Sequence, residues 1–229
     1  MPLDALDVIR TVPLFRQVPE SELSALAQLV HERRAPRGGL ILSQGDRGDT
    51  LFLIRSGQVK VSVVAEDGRE VILSVLGSGS FFGELALLDD EPRSAHVIAM
   101  EDTTLLQLRR EDFRNRLTLS PDLSVSLLRE LSQRLRRADD TIASLMLLDV
   151  NGRVANLLLE LAREEGGETG TRITRRLTHA SLGQMVGASR ETVSRTMRNL
   201  VIRSVISVNR RETVLLDTQA LRLAAQRSV

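Results

Sequence analysis

The sequence FGELALL at residues 82–88 is followed closely by PRSA at residues 92–95. Gly83 lets the backbone approach another group closely, and a short helix that begins there would present free N–H groups to an anion. Arg93 offers a guanidinium fork that can hold two phosphate oxygens, and Ser94 offers a hydroxyl donor. This stretch therefore predicts an anion-binding site.

Glu84 is an acceptor in the middle of these donors, so it suits a sugar hydroxyl better than a phosphate. A structural alternative fits the same residues, because Glu84 and Arg93 could form a salt bridge at a turn. The residue types alone leave the ligand site and the salt bridge equally open.

The residues around this stretch predict an all-β domain. From about Glu32 to Arg109, short apolar runs alternate with turns rich in Gly and Asp, at the regular spacing of a barrel or sandwich. The runs Val59–Val63 and Val71–Val75 are joined across Asp67-Gly68, and we expect them to form a hairpin.

A long helix is predicted after the β-rich segment. Ser120 suits the N-terminal cap of this helix, and Pro121 suits its first position. Apolar residues then follow at intervals of three and four, the a/d pattern of a coiled-coil seam: Leu128, Leu131, Leu135, Ala138, Ile142 and Leu145. A 3.5-residue repeat favours a partner helix over packing within the chain, so we predict a homodimer interface at this seam.

Two short helices around a glycine are predicted near the C-terminus. Thr178 can cap the first helix, Gly187 permits a left-handed turn, and Ser189 can cap the second helix. This is the helix-turn-helix pattern. The polar side of the second helix carries groups that can pair with base edges: Arg190, Glu191, Ser194, Arg195 and Arg198. We expect Ile206–Val208 and Thr213–Leu216 to form a small β-wing.

Charge is divided unevenly along the chain. Residues 1–150 carry 18 Lys and Arg against 23 Asp and Glu, whereas residues 170–229 carry 11 against 3. An acidic body joined to a basic C-terminal segment indicates that this segment meets a polyanion. The alternative is a solvated basic surface that has no partner.

The composition excludes several kinds of site. The chain has no Cys, which excludes disulfides, iron–sulfur clusters and thiol nucleophiles. His31, His96 and His179 are scattered, so we predict no metal or haem site, and no catalytic motif is present. There is no run of 18 apolar residues and no signal-peptide pattern, so we expect a cytoplasmic protein that is not an enzyme and has no membrane segment.

Three motifs carry a resemblance to known proteins. Residues 82–95, the cassette segment, resemble the phosphate-binding cassette of cyclic-nucleotide-binding domains. Leu148–Arg153 and Gly187–Arg195 resemble the hinge and the recognition helix of the bacterial cyclic-AMP receptor protein/FNR superfamily. Because the three motifs occur in the same order over nearly the whole chain, the sequence is identified as a member of that superfamily.

The resemblance implies an α+β architecture in three parts. Residues 1–120 would form a cyclic-nucleotide-binding β-roll, double-stranded and similar to a jelly roll. Residues 121–149 would form the dimerisation helix and hinge, and residues 150–229 a winged helix-turn-helix. The implied protein is a homodimeric transcription regulator under allosteric control by a cyclic nucleotide such as cyclic AMP, with no prosthetic group. Its implied partners are palindromic double-stranded DNA with TGTGA-like half-sites and RNA polymerase.

The resemblance also implies roles for individual residues. Glu84 would bind a ribose 2′-hydroxyl, while Arg93 and Ser94 would hold the cyclic phosphate with backbone N–H groups near Ala86 and Ala95. The full implied ligand set is Gly83, Glu84, Leu85, Ala86, Arg93, Ser94, Ala95, Arg134, Ala138 and Asp139. The implied DNA-binding set is Thr178, His179, Ser189, Arg190, Glu191, Thr192, Ser194, Arg195 and Arg198.

The central helix departs from the family pattern. Where cyclic-AMP receptors offer a Thr and a Ser to adenine, this chain has Ala138 and Asp139. A carboxylate only accepts hydrogen bonds, and guanine presents two adjacent donors, so Asp139 favours a guanine ligand. With Arg134, Arg136 and Arg137 nearby, cyclic di-GMP is the alternative effector, and a ligand-independent regulator is a third hypothesis. A more remote alternative is a nucleotide-binding regulatory protein without a DNA role. In the structural alternative, these arginines form exposed i,i+3 and i,i+4 pairs with Asp139 and Asp140 along the helix.

Overall fold

A computed structural model of the chain describes residues 4–166, 170–174, 177–209 and 212–226. The chain divides into two units, Met1–Leu135 and Arg136–Val229. The boundary falls inside the long central helix, so this helix contributes residues to both units. Across the described residues, no helix is both long and apolar enough to cross a membrane.

The first unit is built on two four-stranded antiparallel sheets. The strands are β1 (His31–Ala35), β2 (Leu40–Leu42), β3 (Thr50–Ser56), β4 (Val59–Val64), β5 (Glu70–Leu76), β6 (Phe81–Phe82), β7 (His96–Ala99) and β8 (Thr103–Arg109). Their order is β1-β8-β3-β6 in one sheet and β2-β7-β4-β5 in the other. This architecture confirms the predicted β-roll.

The apolar core between the sheets fixes the strand that leads into the cassette segment. Phe52 in β3 pairs with Phe82 in β6, and their rings stack with centroids 5.1 Å apart. Both belong to a buried cluster that takes residues from each sheet. The predicted hairpin is confirmed, because Val59 pairs with Leu76 and Val63 with Val71.

The helices of the first unit pack on the outer side of this roll. They are α1 (Ala5–Thr11), α2 (Glu20–Ala27), α3 (Leu85–Leu88), α4 (Arg110–Leu119) and the start of α5 (Pro121–Leu147), with a 3-10 turn at Pro13–Phe15. A second buried cluster joins them to the sheet through Phe15, Leu51, Phe81, Phe113 and Leu123. The cassette segment is thus held between two cores.

Helix α5 begins and ends close to its predicted bounds. The Ser120 hydroxyl accepts a hydrogen bond from the Leu123 N–H at 3.4 Å, which supports the predicted cap. Leu131 packs against the core of the first unit. Other seam residues are exposed, with Leu128 and Leu135 each at 63% and Ile142 at 55%. The seam is therefore an apolar stripe that the chain by itself leaves largely uncovered.

The second unit contains four more helices and a three-stranded sheet among its described residues. They are α6 (Val150–Gly166), β9 (Arg172–Ile173), α7 (His179–Val186), α8 (Arg190–Ile202), β10 (Ile206–Val208), β11 (Thr213–Leu215) and α9 (Thr218–Ala224). The antiparallel sheet has the order β10-β11-β9 and includes the two predicted wing strands. The residues between those strands, 210–211, lie outside the described residues.

Capping residues set the turn between α7 and α8 as the sequence predicts. Thr178 and Ser181 form a capping box at the start of α7. Gly187 ends α7 with a φ of 64°, and the Ser189 hydroxyl accepts from the Thr192 N–H at 3.2 Å to start α8. After α8 the chain turns at Ser204, whose φ of 55° is a conformation that favours glycine.

Candidate functional site

The guanidinium of Arg93 lies buried against backbone carbonyls of the first unit. Its side chain donates from Nη1 to the Gly83 carbonyl at 2.6 Å and from Nη2 to the Thr50 carbonyl at 2.8 Å. The residue is only 5% exposed, and its buried Nε has no partner among the described residues. Burial lowers the pKa of Arg93 from its ordinary value, and the nearby Asp49 carboxylate opposes that shift. A buried donor that lacks an acceptor is costly, so an anion at this side chain would be stabilised.

Two glycines make room for this guanidinium. A Cβ on Gly83, whose φ is +85°, would come within 2.8 Å of Arg93 Nη1. A Cβ on Gly48 would come within 2.8 Å of Arg93 Cζ and within 2.6 Å of Ala86 Cβ. Gly83 was predicted as a site residue, whereas Gly48 was not, because only the fold brings the 44–49 turn against the cassette segment.

Glu84 is paired with the central helix and not with Arg93. The Arg134 side chain donates from Nη1 to Glu84 Oε1 at 2.9 Å and from Nη2 to the Phe81 carbonyl at 2.9 Å. Its guanidinium carbon also lies 4.3 Å from the centre of the Phe81 ring. The salt bridge between Glu84 and Arg93, which the sequence left open, is not the pairing that the structure shows.

The burial of Glu84 has a clear electrostatic effect. The residue is 3% exposed, and burial raises the pKa of its carboxyl group, while the charge of Arg134 lowers it. A buried charge is tolerated when a partner compensates the loss of water. The Arg134 guanidinium therefore offsets part of the cost of burying the Glu84 carboxylate.

Two arginines of α4 hold the short helix α3 in position. Arg110 donates from Nη2 to the Ala86 carbonyl at 2.7 Å and also to the Gly48 carbonyl. Arg114 donates from Nε to the Leu87 carbonyl at 2.6 Å. Both arginines pair with Asp90, whose φ is 64°, and Arg114 and Arg110 hold the pKa of that carboxyl below its ordinary value. None of these three residues was predicted as a site residue from the sequence.

The remaining predicted ligand residues lie in different settings. Ser94 is exposed, whereas Ala95 and Ala86 are buried and Leu85 is exposed. Ala138 and Asp139 lie on the part of α5 that belongs to the second unit, where both are exposed. Among the described residues no ion pair joins Asp139 or Asp140 to the arginines of α5, as the structural alternative expected. Arg134 pairs instead with Glu130 along the helix and with Glu84.

Most of the predicted DNA-binding residues are exposed on α7 and α8 or at their caps, whereas Thr192 and Ser194 are half-buried. Arg190, Glu191, Arg195 and Arg198 are exposed, while Val193 and Met197 on the opposite side are buried. None of these three arginines has an ion-pair partner within the part of the chain that the structure describes. The pKa of Glu191 is lowered by its backbone amide and by the Ser189 hydroxyl, which keeps its carboxylate ionised. Thr178 and His179 are exposed at the start of α7.

Comparison with known proteins assigns a family to each unit. The model of the cyclic nucleotide-binding domain matches residues 32–118, and the model of the Crp-like helix-turn-helix domain matches residues 152–224. The CRP-like cAMP-activated global transcriptional regulator of Mycobacterium tuberculosis is 34% identical over 217 residues, which cover 94% of this chain and 97% of that protein. The chain belongs to the Crp/Fnr superfamily.

Two further Crp/Fnr relatives bear on the choice of ligand. The cyclic AMP receptor protein of Thermus thermophilus is 36% identical over 217 residues, which cover 93% of this chain and 98% of that protein. The solved structure of the c-di-GMP responsive global regulator CLP of Xanthomonas campestris has a TM-score of 0.73 and 26% identity, and the match covers 86% of this chain and 99% of that chain. The chain is therefore a Crp-like transcription regulator with a cyclic nucleotide-binding domain and a DNA-binding helix-turn-helix.

Gly48→Ala should bind a cyclic nucleotide more weakly than the wild-type chain does, the ligand being whichever cyclic nucleotide binds the wild-type chain in a calorimetric titration. The added methyl group would displace the Arg93 guanidinium, and the loss of a charge-assisted contact predicts an affinity about tenfold lower. Isothermal titration calorimetry measures this change. Gly77→Ala is the matched control, because a Cβ there meets nothing within 4 Å. Equal affinity of Gly48→Ala and the wild-type chain would contradict the role given to Gly48.

Proposed function

We propose that this protein is a homodimeric, cytoplasmic regulator that binds cyclic AMP in the first unit and thereby gains affinity for palindromic DNA. The observation that carries the proposal is the buried Arg93, which lies in a cradle of glycines beside Glu84 and whose Nε has no partner within the described part of the chain. Relatives in Mycobacterium tuberculosis and Thermus thermophilus are described as cAMP-activated or as cyclic AMP receptors. In this proposal the chain acts by binding, without catalysis, and RNA polymerase is a further predicted partner.

Different site residues would bind different parts of the ligand. Arg93 and Ser94, with backbone N–H groups near Ala86 and Ala95, would hold the cyclic phosphate, and Glu84 would accept a hydrogen bond from the ribose 2′-hydroxyl. Because Arg134 already donates to Glu84, the ligand would share this carboxylate with a residue of α5. Binding would thus alter the contact that joins the cassette segment to the central helix.

Cyclic di-GMP is the second candidate effector. Asp139 is exposed and has no ion-pair partner among the described residues, so its two acceptor oxygens are available for guanine N1–H and the 2-amino group. The relative in Xanthomonas campestris is described as c-di-GMP responsive. A ligand-independent regulator is the third possibility.

Calorimetric titration of the purified protein with cyclic AMP tests the choice of effector. We expect saturable binding, and Arg93→Ala should weaken it about 100-fold, because the contact to phosphate is charge-assisted. Arg47→Ala, which removes an exposed arginine from the neighbouring turn, is the control and should bind as the wild-type chain does. If cyclic AMP produces no heat while cyclic di-GMP binds and Asp139→Ala abolishes that binding, the second candidate is correct.

The exposed seam of α5 supports the proposed homodimer. Leu128, Leu135, Ile142 and Leu145 are each between 46% and 63% exposed along one helix. Apolar side chains in an a/d repeat are normally covered by a second helix. A second copy of the same helix would cover this stripe.

Placing charges in the seam should separate the dimer. We expect the double variant Leu135→Glu/Ile142→Glu to sediment as a monomer while the wild-type chain sediments as a dimer, because buried unpaired carboxylates oppose association. Arg137→Glu is the control, since it places the same charge on the same helix outside the seam. Sedimentation with interference optics suits a chain that has no Trp or Tyr. A dimer of unchanged affinity in the double variant would exclude this seam as the interface.

The free arginines of α8 support sequence-specific DNA binding. We expect Arg190→Ala and Arg195→Ala each to lower affinity for a palindrome of TGTGA-like half-sites by about 10- to 100-fold, the effect of losing one bidentate base contact. Arg163→Ala in α6 removes the same charge from another exposed position and should change affinity little. Fluorescence anisotropy of a labelled duplex measures the affinity of each variant. Unchanged discrimination between the palindrome and a scrambled duplex would exclude α8 as the reading helix.

A further inference from the structure

A hydrogen bond joins the buried side of α8 to the first turn of α6 within the second unit. The Thr196 hydroxyl donates to the side-chain carbonyl of Asn151 at 2.7 Å. Thr196 is 4% exposed and lies between Val193 and Met197, which form the apolar contact of α8 with its own core. A helical threonine often bonds to a carbonyl of its own preceding turn, but here the hydroxyl bonds to a different helix.

Asn151 is in turn connected to the residue before α6. Its Nδ2 donates to Asp149 Oδ2 at 3.4 Å, while the carbonyl oxygen of the same amide faces Thr196. Asp149 also accepts a hydrogen bond from the Gly152 N–H at 2.7 Å on Oδ1. Three side chains thus form a polar chain from the junction of α5 and α6 to the middle of α8.

This polar chain adds a directional contact to the packing of α8 on α6. The core between α6 and α8 is apolar around the hydrogen bond, and includes Val154, Val193 and Met197. Apolar contacts depend on buried area and hardly on direction, whereas a hydrogen bond weakens steeply when its angle or length changes. The Thr196 contact therefore opposes rotation of α8 about its own axis.

Rotation of α8 matters because the arginines that face outward are on the same turns. Arg195 immediately precedes Thr196, and Arg198 follows two residues later. Side chains extend to about 5–6 Å from a helix axis, so a rotation of about 20° would move their ends by about 2 Å. Such a shift exceeds the tolerance of a bidentate hydrogen bond to a base.

We propose that Thr196 and Asn151 are positioning residues for DNA recognition, and that their hydrogen bond sets the angle at which α8 presents Arg195 and Arg198. The proposal rests on the proposed function, in that α8 must be the helix that reads the DNA. Thr196 itself lies away from the exposed side of α8, because it faces the core. The hydrogen bond between Thr196 and Asn151 is expected to affect the preference of the protein for one DNA sequence over another. It is not expected to affect the phosphate contacts, which hold DNA of any sequence.

A pair of matched variants at Thr196 separates hydrogen bonding from packing. Thr196→Val keeps the shape and removes the donor, whereas Thr196→Ser keeps the donor and removes a methyl group. The probe is a duplex selected from a random pool with the wild-type protein, compared with a scrambled duplex at the same salt concentration. We expect Thr196→Val to lose about tenfold in the ratio of the two affinities and Thr196→Ser to keep it within about twofold. Urea unfolding, followed by far-UV circular dichroism, reports stability separately.

A double-variant cycle tests whether the two residues act through each other. Asn151→Leu should lower the affinity ratio about as much as Thr196→Val, and the double variant should fall no further, because the single contact is already lost. Arg195→Ala serves as the reference for a residue that touches the base.

Three outcomes would overturn the proposal in different ways. An unchanged affinity ratio in Thr196→Val refutes the positioning role, whatever happens to stability. An equal loss in Thr196→Ser assigns the effect to packing and also refutes it. If the pool yields no enriched sequence with the wild-type chain, the proposed function fails and the positioning role fails with it.

Discussion

The burial of two opposite charges in the cassette segment constrains the rest of the first unit. Arg93 and Glu84 are 5% and 3% exposed, so each has lost most of its water and must be compensated by the protein. Arg93 obtains this compensation from the carbonyls of Gly83 and Thr50, which can approach only because Gly83 and Gly48 carry no side chain. The burial of Arg93 thus depends both on the two backbone carbonyls that accept its hydrogen bonds and on the two glycines that leave room for its guanidinium.

The compensation of Glu84 comes from outside the cassette segment and links the ligand site to the central helix. Arg134 extends from α5 to the carboxylate and rests on the Phe81 ring. The same helix carries the exposed apolar seam. A ligand that donates a hydrogen bond to Glu84 would either compete with the Arg134 contact or reinforce it. Either change would act on α5, the helix that would form the proposed dimer interface. In the proposed function, the ligand site and the dimer interface would therefore share one helix, and the ion pair between Glu84 and Arg134 would connect them.

The parts of this arrangement that the sequence predicted are those whose signal is local. Hairpin turns, helix caps at Thr178 and Ser189, the a/d seam and the cassette segment each depend on residues that are close to one another in the sequence. The parts that were missed depend on topology. Gly48 meets Arg93, Arg110 meets Ala86, and Thr196 meets Asn151 only after strands and helices distant in sequence have packed. The partner of Glu84 shows the same limit, since local reasoning offered Arg93 and the fold supplied Arg134.

The two units use arginine in opposite ways, which explains how one residue type serves two functions. In the first unit Arg93, Arg110 and Arg134 are fixed by carbonyls and carboxylates, so their positions are determined before any ligand arrives. On α8, Arg190, Arg195 and Arg198 are exposed and make no ion pair with the described residues. The free-energy cost of replacing their bound water by a phosphate or a base is therefore small. If these arginines read DNA as proposed, they need a rigid support in order to discriminate between sequences. The buried face of α8 would provide that support, and Thr196 adds a directional hydrogen bond to the apolar packing there.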